Sequence, residues 1–215
     1  MIKTIKNILL VDETQPLEKI KRQYKSKVYW FLGLSWLLSF LLIWIIPQNI
    51  MQYTWAKNFV DFMGVVVPMV DGLEHIRLYG PSHPYKAHLI VLPHISFHYA
   101  FFWAYAWLSV PYMFFFVNGN FRYNKNSNIV STKGLVERYH NNKFVYYFGL
   151  FFALTVSLFM YIHSESATGS FKLRYVYEMS AGVNTFIGTV GMLFIIVVYF
   201  YTHFLIKQQE RNHAK

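Results

Sequence analysis

Long apolar stretches without Lys, Arg, Asp or Glu alternate with polar, basic segments along this chain. About 20 apolar residues in a helix cross the roughly 30 Å hydrocarbon core of a bilayer, and four stretches are long enough to do so. They comprise residues 28–46, 89–117, 144–162 and 183–206. Because lipid offers the backbone no water to bond with, each stretch is expected to be helical. The pattern therefore predicts an all-α membrane protein with four transmembrane helices.

The polar segments around the predicted spans are too short to form independent domains. We interpret residues 28–206 as one four-helix membrane domain. It follows an N-terminal segment, residues 1–27, and precedes a tail, residues 207–215. The two longest connections are residues 48–88 and residues 118–143. The sequence therefore predicts a single membrane domain whose helices are joined by loops, two of them long.

The sequence also predicts helices in two of these polar segments, the N-terminal segment and residues 48–88. We expect residues 17–27 to run helically into the first span, which ends at Pro47. Residues 59–70 are apolar, but they are too short to span and are interrupted by Gly64 and Pro68. A short interfacial or re-entrant helix fits this stretch.

The basic residues are distributed unevenly between the polar segments. The chain has 20 Lys and Arg against 10 Asp and Glu, a net charge of +10. Fifteen of the basic residues lie in residues 1–27, 118–143 and 207–215, and five lie in the other two loops. The positive-inside rule then predicts an N-in/C-in arrangement, with both termini and residues 118–143 in the cytoplasm and residues 48–88 as the outer segment. The basicity is explained by topology and by contact with anionic lipids, so we expect no direct nucleic-acid partner.

Histidine is the residue type with the clearest potential for chemistry. Five of the nine histidines fall between residues 75 and 98. His94 and His98 are four residues apart, which places them on one helical face at a spacing used for metal ligation. His163 follows the third span and lies at a similar predicted depth. A haem or metal site built from these three residues is one hypothesis. The other is that interfacial histidines bond to lipid headgroups or loops.

Motifs of enzymes are missing from the chain. It contains no Cys and no GxxxxGK[ST], GxGxxG, HExxH or GxSxG pattern. The spans carry no ionisable residue other than His, whereas proton-coupled transporters need buried charge. We therefore expect a non-enzymatic protein without a cofactor.

Small residues recur at helical spacing in the third and fourth spans. They are Gly149, Ala153 and Ser157 in the third span, and Thr185 and Gly188 in the fourth. Such stripes let membrane helices approach closely. They predict helix packing within the chain or formation of a homo-oligomer.

The segment of residues 118–143 is Asn-rich and basic. Residues 131–139 are compatible with a short helix. Arg122, Lys133 and Arg138 are candidate docking residues for a cytosolic effector protein. A solvated connector between two spans is the alternative.

This layout resembles two kinds of small bacterial inner-membrane protein. The four spans, the elaborated segment of residues 48–88 and the basic segment of residues 118–143 are similar to the membrane subunit of the Kiwa anti-phage defence system. That resemblance implies an oligomeric sensor of envelope or infection events that works with a cytosolic effector. The layout is also similar to four-span immunity proteins against pore-forming colicins, which implies lateral binding of a toxin in the membrane. Both resemblances concern topology over the whole chain, and the length of residues 48–88 favours the first.

Overall fold

The computed structural model describes residues 14–79, 92–124, 139, 141–162 and 182–213, and every regular element within them is helical. Three helices of this part of the chain are long and apolar enough to cross a membrane. They are Leu17–Ile45, Pro93–Val117 and Gly182–Phe204. The described part of the chain is therefore all-helical and of membrane type, as its hydropathy pattern predicts.

Helix α1 comprises Leu17–Ile45. Its first turn is closed by the carbonyl of Pro16, which accepts hydrogen bonds from the backbone N–H groups of Lys19 and Ile20. Pro47 follows the helix, and a proline lacks the N–H that would extend it. The expectation that residues 17–27 run helically into the first apolar span is confirmed.

Residues 50–79 form two helices, where one short helix over residues 59–70 was expected. A 3₁₀ turn, Ile50–Gln52, precedes helix α2, Thr54–Val66, and helix α3, Pro68–Tyr79. The break falls at Val67, which has extended backbone angles of φ −124° and ψ 97°. A residue before proline avoids the helical region, and proline is suited to the first turn of a new helix. We refer to α2 and α3 together as the helical hairpin.

Helix α4 comprises Pro93–Asn124 and contains Pro111. Its 32 residues correspond to about 48 Å at 1.5 Å per residue. The helix continues past Val117, so the beginning of the predicted polar loop 118–143 is helical. Residues 89–91 of the predicted span lie outside the described residues.

Helix α5 comprises Lys143–Ile162 and covers the third predicted span, but its described residues are not among the three helices long and apolar enough to cross a membrane. The last helical segment starts at residue 182 and passes through a π-helical turn, Ile187–Gly191, before helix α6, Met192–His213. A π turn inserts one residue into a helix, and such turns are frequent at functional sites.

The chain divides into two compact units. The terminal unit contains the described residues of Met1–Gly33, Val110–Phe152 and Phe194–Lys215. The hairpin unit contains the described residues of Leu34–Ser109 and Ala153–Leu193. Each unit has hydrophobic cores of its own.

Candidate functional site

A group of polar side chains is buried inside the hairpin unit, around the first turns of α4. His94, Ser96 and His98 are each at most 1% exposed, and so are Ser39 of α1 and Thr185 of the last helical segment. Polar groups in an apolar interior are costly unless they are hydrogen-bonded. We refer to Ser39, His98 and Thr185 as the histidine joint.

His98 connects three helices in this joint. Its Nε2 lies 2.8 Å from the backbone carbonyl oxygen of Ser39. Because a carbonyl only accepts hydrogen bonds, Nε2 must carry the proton and donate it. In a neutral ring, Nδ1 is then an acceptor, and it faces the Thr185 hydroxyl at 3.4 Å. One imidazole thus links α4 to α1 strongly and to the last helical segment more weakly.

Two hydroxyl groups at or next to the joint are bonded within their own helices. The Ser39 hydroxyl donates to the carbonyl of Trp36 at 2.7 Å, and the Thr189 hydroxyl donates to the carbonyl of Thr185 at 2.6 Å. These are bonds to the preceding turn of the same helix, which satisfy a hydroxyl inside an apolar environment. A Cβ on Gly182 would lie 3.3 Å from the Ser39 carbonyl oxygen, so the last helical segment passes close to α1.

Helix α4 carries further polar groups next to the joint. The Tyr105 and Ser35 hydroxyls lie 2.8 Å apart, which gives α4 a second hydrogen bond to α1. The Ser96 hydroxyl and the Trp103 indole N–H are buried, and neither has a hydrogen-bond partner among the described residues. An unpaired buried group costs roughly 1–3 kcal/mol. His98 and Tyr105 therefore supply two hydrogen bonds from α4 to α1, next to buried polar groups that lack one.

No family model, curated protein or solved structure matches this chain.

The structure places two of the three candidate metal ligands together. His94 and His98 are both buried on α4, whereas His163 lies outside the described residues. The described part of the chain contains no group of three or more His, Cys, Asp or Glu side chains that could hold a metal ion. The Nε2 atom of His98 would have to release the Ser39 carbonyl before it could ligate a metal.

Four of the five small residues of the third and fourth spans have described side chains, and each is buried or lies at a helix contact. In the terminal unit, a Cβ on Gly149 would collide with the hydroxyl of Tyr199, and the Tyr146 hydroxyl donates to the Tyr199 carbonyl at 3.2 Å. Close approach of α5 and α6 thus depends on the missing side chain at Gly149. The side chain of Ser157 lies outside the described residues. The other three members of the set are buried: Ala153, Thr185 and Gly188.

The three candidate docking residues fall on or beyond the end of α4. Arg122 is in the last helical turns of α4, although its side chain is not among those described. Lys133 and Arg138 lie outside the described residues.

One cluster in the terminal unit was not anticipated from the sequence. The rings of Tyr139, Tyr146 and Tyr147 surround His203, with ring centroids 6.1–6.5 Å from the imidazole. The Lys143 ammonium lies 5.3 Å from the centroid of the Tyr139 ring, within the range of a cation–π interaction. The adjacent tyrosines at 146 and 147 were the one sequence feature that pointed to an aromatic cluster. His203 on α6, which they surround, is too distant in sequence to be recognised as their partner.

Proposed function

We propose that this chain is a non-enzymatic, homo-oligomeric protein of the bacterial inner membrane that serves an anti-phage defence system. It has four spans in an N-in/C-in arrangement: the three long apolar helices, and α5 as the third span in chain order. Its helical hairpin receives a signal from the envelope side, and the segment of residues 118–143 engages a cytosolic effector. The three long apolar helices and the distribution of basic residues support this arrangement.

The observation that carries this proposal is a core shared by the hairpin and the long helices. Within the hairpin unit, buried residues of α2 and α3 pack in the same cluster as buried residues of α1 and α4. The hairpin contributes Ala56, Val60, Met63, Met69, Val70, Leu73 and Ile76, and the long helices contribute Ile43, Ile95, Tyr99 and Trp103. Closely packed interiors transmit small displacements. A hairpin built in this way is suited to pass a disturbance on to the membrane helices.

Helix α5 takes part in the same coupling through Tyr161. The Tyr161 hydroxyl donates a hydrogen bond to the carbonyl of Val66, at the end of α2. The Tyr161 ring also contacts the Trp103 ring of α4, with centroids 5.2 Å apart. One side chain therefore connects the hairpin to two long helices of the hairpin unit.

Replacing Tyr161 by phenylalanine is expected to weaken phage protection while the protein remains folded. Phenylalanine keeps the ring contact with Trp103 and removes only the hydrogen bond to Val66. A bond worth about 1 kcal/mol changes a conformational equilibrium roughly fivefold. The measurement is the efficiency of plating on cells that carry the complete operon.

Tyr147→Phe is the matched control, since it is the same substitution on the same helix, in the terminal unit. It is expected to leave protection unchanged. The proposed function is wrong if deletion of the gene leaves phage sensitivity unaltered in a strain that retains the neighbouring genes.

A second candidate function is immunity against a pore-forming bacteriocin. It is favoured by an apolar face on the first half of α5, where Phe144, Phe148, Phe151 and Phe152 are all more than half exposed. Such a face fits lipid, a second copy of the chain or a toxin helix in the membrane. Under this alternative, expression of this chain alone, without its neighbours, would rescue cells from a cognate bacteriocin.

A further inference from the structure

A cavity of about 530 Å³ opens in the hairpin unit, next to the first residue of α4, Pro93. This volume is in the range of small-molecule sites. Its lining combines the apolar Met51 and Pro93 with two cationic and three carboxamide side chains, which are Lys57, Arg77, Gln48, Asn49 and Gln52. No carboxylate belongs to the lining contributed by the described residues. We refer to it as the interfacial cavity.

Arg77 is held in a fixed orientation on α3. Its Nε lies 3.0 Å from the Glu74 carboxylate and its Nη2 lies 2.6 Å from Oε2 of the same group. A guanidinium has a second edge, and Nη1 has no hydrogen-bond partner among the described residues. The ion pair with Glu74 therefore orients the Arg77 side chain and leaves the N–H groups on its second edge available to an anion.

Lys57 adds a positive charge that is not neutralised. It is exposed on α2, and no carboxylate of the described residues lies within salt-bridge distance of it. Glu74 compensates only one of the two cations. The two charged side chains of the lining are therefore both cationic, which favours an anionic ligand.

The three carboxamide side chains allow the cavity to bind groups other than an anion. Each Gln or Asn side chain both donates and accepts hydrogen bonds, which suits hydroxyl groups as well as phosphate oxygens. The volume also exceeds what a lone phosphate needs. A phosphate that carries a polyol matches this lining better than an inorganic ion does.

The position of the cavity indicates where such a ligand is found. Gln48 follows Pro47 directly after α1, and Pro93 begins α4, and both helices are apolar enough to cross a membrane. Side chains at the ends of spans lie at the level of lipid headgroups. Exposed aromatic residues flank this level in the sequence, namely Trp44, Tyr53 and Trp55.

We propose that the interfacial cavity binds the phosphate group of a polyol phosphate, with Lys57 and Arg77 contacting the phosphate and the carboxamides contacting hydroxyls. The source is the headgroup of an anionic glycerophospholipid or a free phosphate compound of the same chemistry. The proposal depends on placement of these helices in a membrane, and it does not depend on a role in defence.

The test is thermal unfolding of the full-length, delipidated protein in detergent, with phosphatidylglycerol or phosphatidylcholine of identical acyl chains added to the micelles. We expect a larger rise in unfolding temperature with phosphatidylglycerol. Lys57→Glu should raise its apparent dissociation constant about tenfold, as expected for loss of a charge-assisted contact. Lys57→Arg, which keeps the positive charge at the same position, is the matched control and should retain the effect.

Glycerol 3-phosphate and inorganic phosphate, without lipid, identify the source. A rise with phosphatidylglycerol alone indicates a lipid ligand, and a rise that soluble phosphates reproduce indicates a free one. Equal stabilisation by the two lipids, or a Lys57→Glu protein that responds like the wild type, overturns the proposal. Should Lys57→Glu aggregate, Lys57→Gln and retention of phosphatidylglycerol in native mass spectrometry provide the same comparison.

Discussion

Replacing His98 by alanine lowers the free energy of unfolding by an expected 2–4 kcal/mol, on the order of the cost of a buried truncation combined with a lost hydrogen bond. The substitution removes the 2.8 Å bond to the Ser39 carbonyl and opens a cavity where three helices meet. It also removes the ring contact with Phe102, whose centroid lies 4.9 Å from the imidazole. The measurement is thermal unfolding in detergent, followed by tryptophan fluorescence.

Two polar substitutions at the same position test the geometry of the histidine joint. The amide nitrogen of glutamine reaches the place of Nε2 and can donate to the Ser39 carbonyl, whereas that of asparagine is closer to the place of Nδ1. His98→Gln is therefore expected to retain more stability than His98→Asn. His75→Ala, an exposed change on α3, is the control and should have little effect. If His98→Ala unfolds at the temperature of His75→Ala, the joint contributes nothing to stability.

Hydropathy predicted the apolar helices well because a membrane span is a matter of length and composition. Together with the expected helical extension over residues 17–27 it predicted α1, since no proline lies between Pro16 and Pro47. The division of the hairpin was missed although its cause is visible in the sequence. The apolar run over residues 59–70 was treated as one element, while Pro68 places Val67 in an extended conformation.

The residues that contact His98 could not be predicted from the sequence pattern. The spacing of His94 and His98 predicted a common face on one helix, and both are buried on α4. Ser39 and Thr185, however, are 59 and 87 residues away from His98. Helix α4 is apolar around its circumference, so periodicity does not indicate which side faces α1. The contact depends on helix rotation, which only the three-dimensional packing determines.

Introducing alanine at Gly119 is expected to destabilise the terminal unit by about 1–3 kcal/mol, the usual range for overpacking a filled core. A Cβ there would collide with the ring of Tyr24. That ring is 1% exposed and packs against Phe115 and Phe116, with centroids 6.1 and 6.2 Å away, so it has little room to move. The direction of the change in stability is informative, because replacing glycine by alanine in a helix interior otherwise stabilises a protein by up to about 1 kcal/mol.

Gly33→Ala is the matched control for this substitution. Gly33 lies in α1, within the same unit, and a Cβ there has no neighbour within 4 Å. It should leave the unfolding temperature unchanged or raise it slightly. In a Tyr24→Leu background, Gly119→Ala should lose most of its effect, because contacting residues give non-additive changes. If the two alanine substitutions shift the unfolding temperature equally, the close approach of Gly119 to Tyr24 does not exist in the membrane protein.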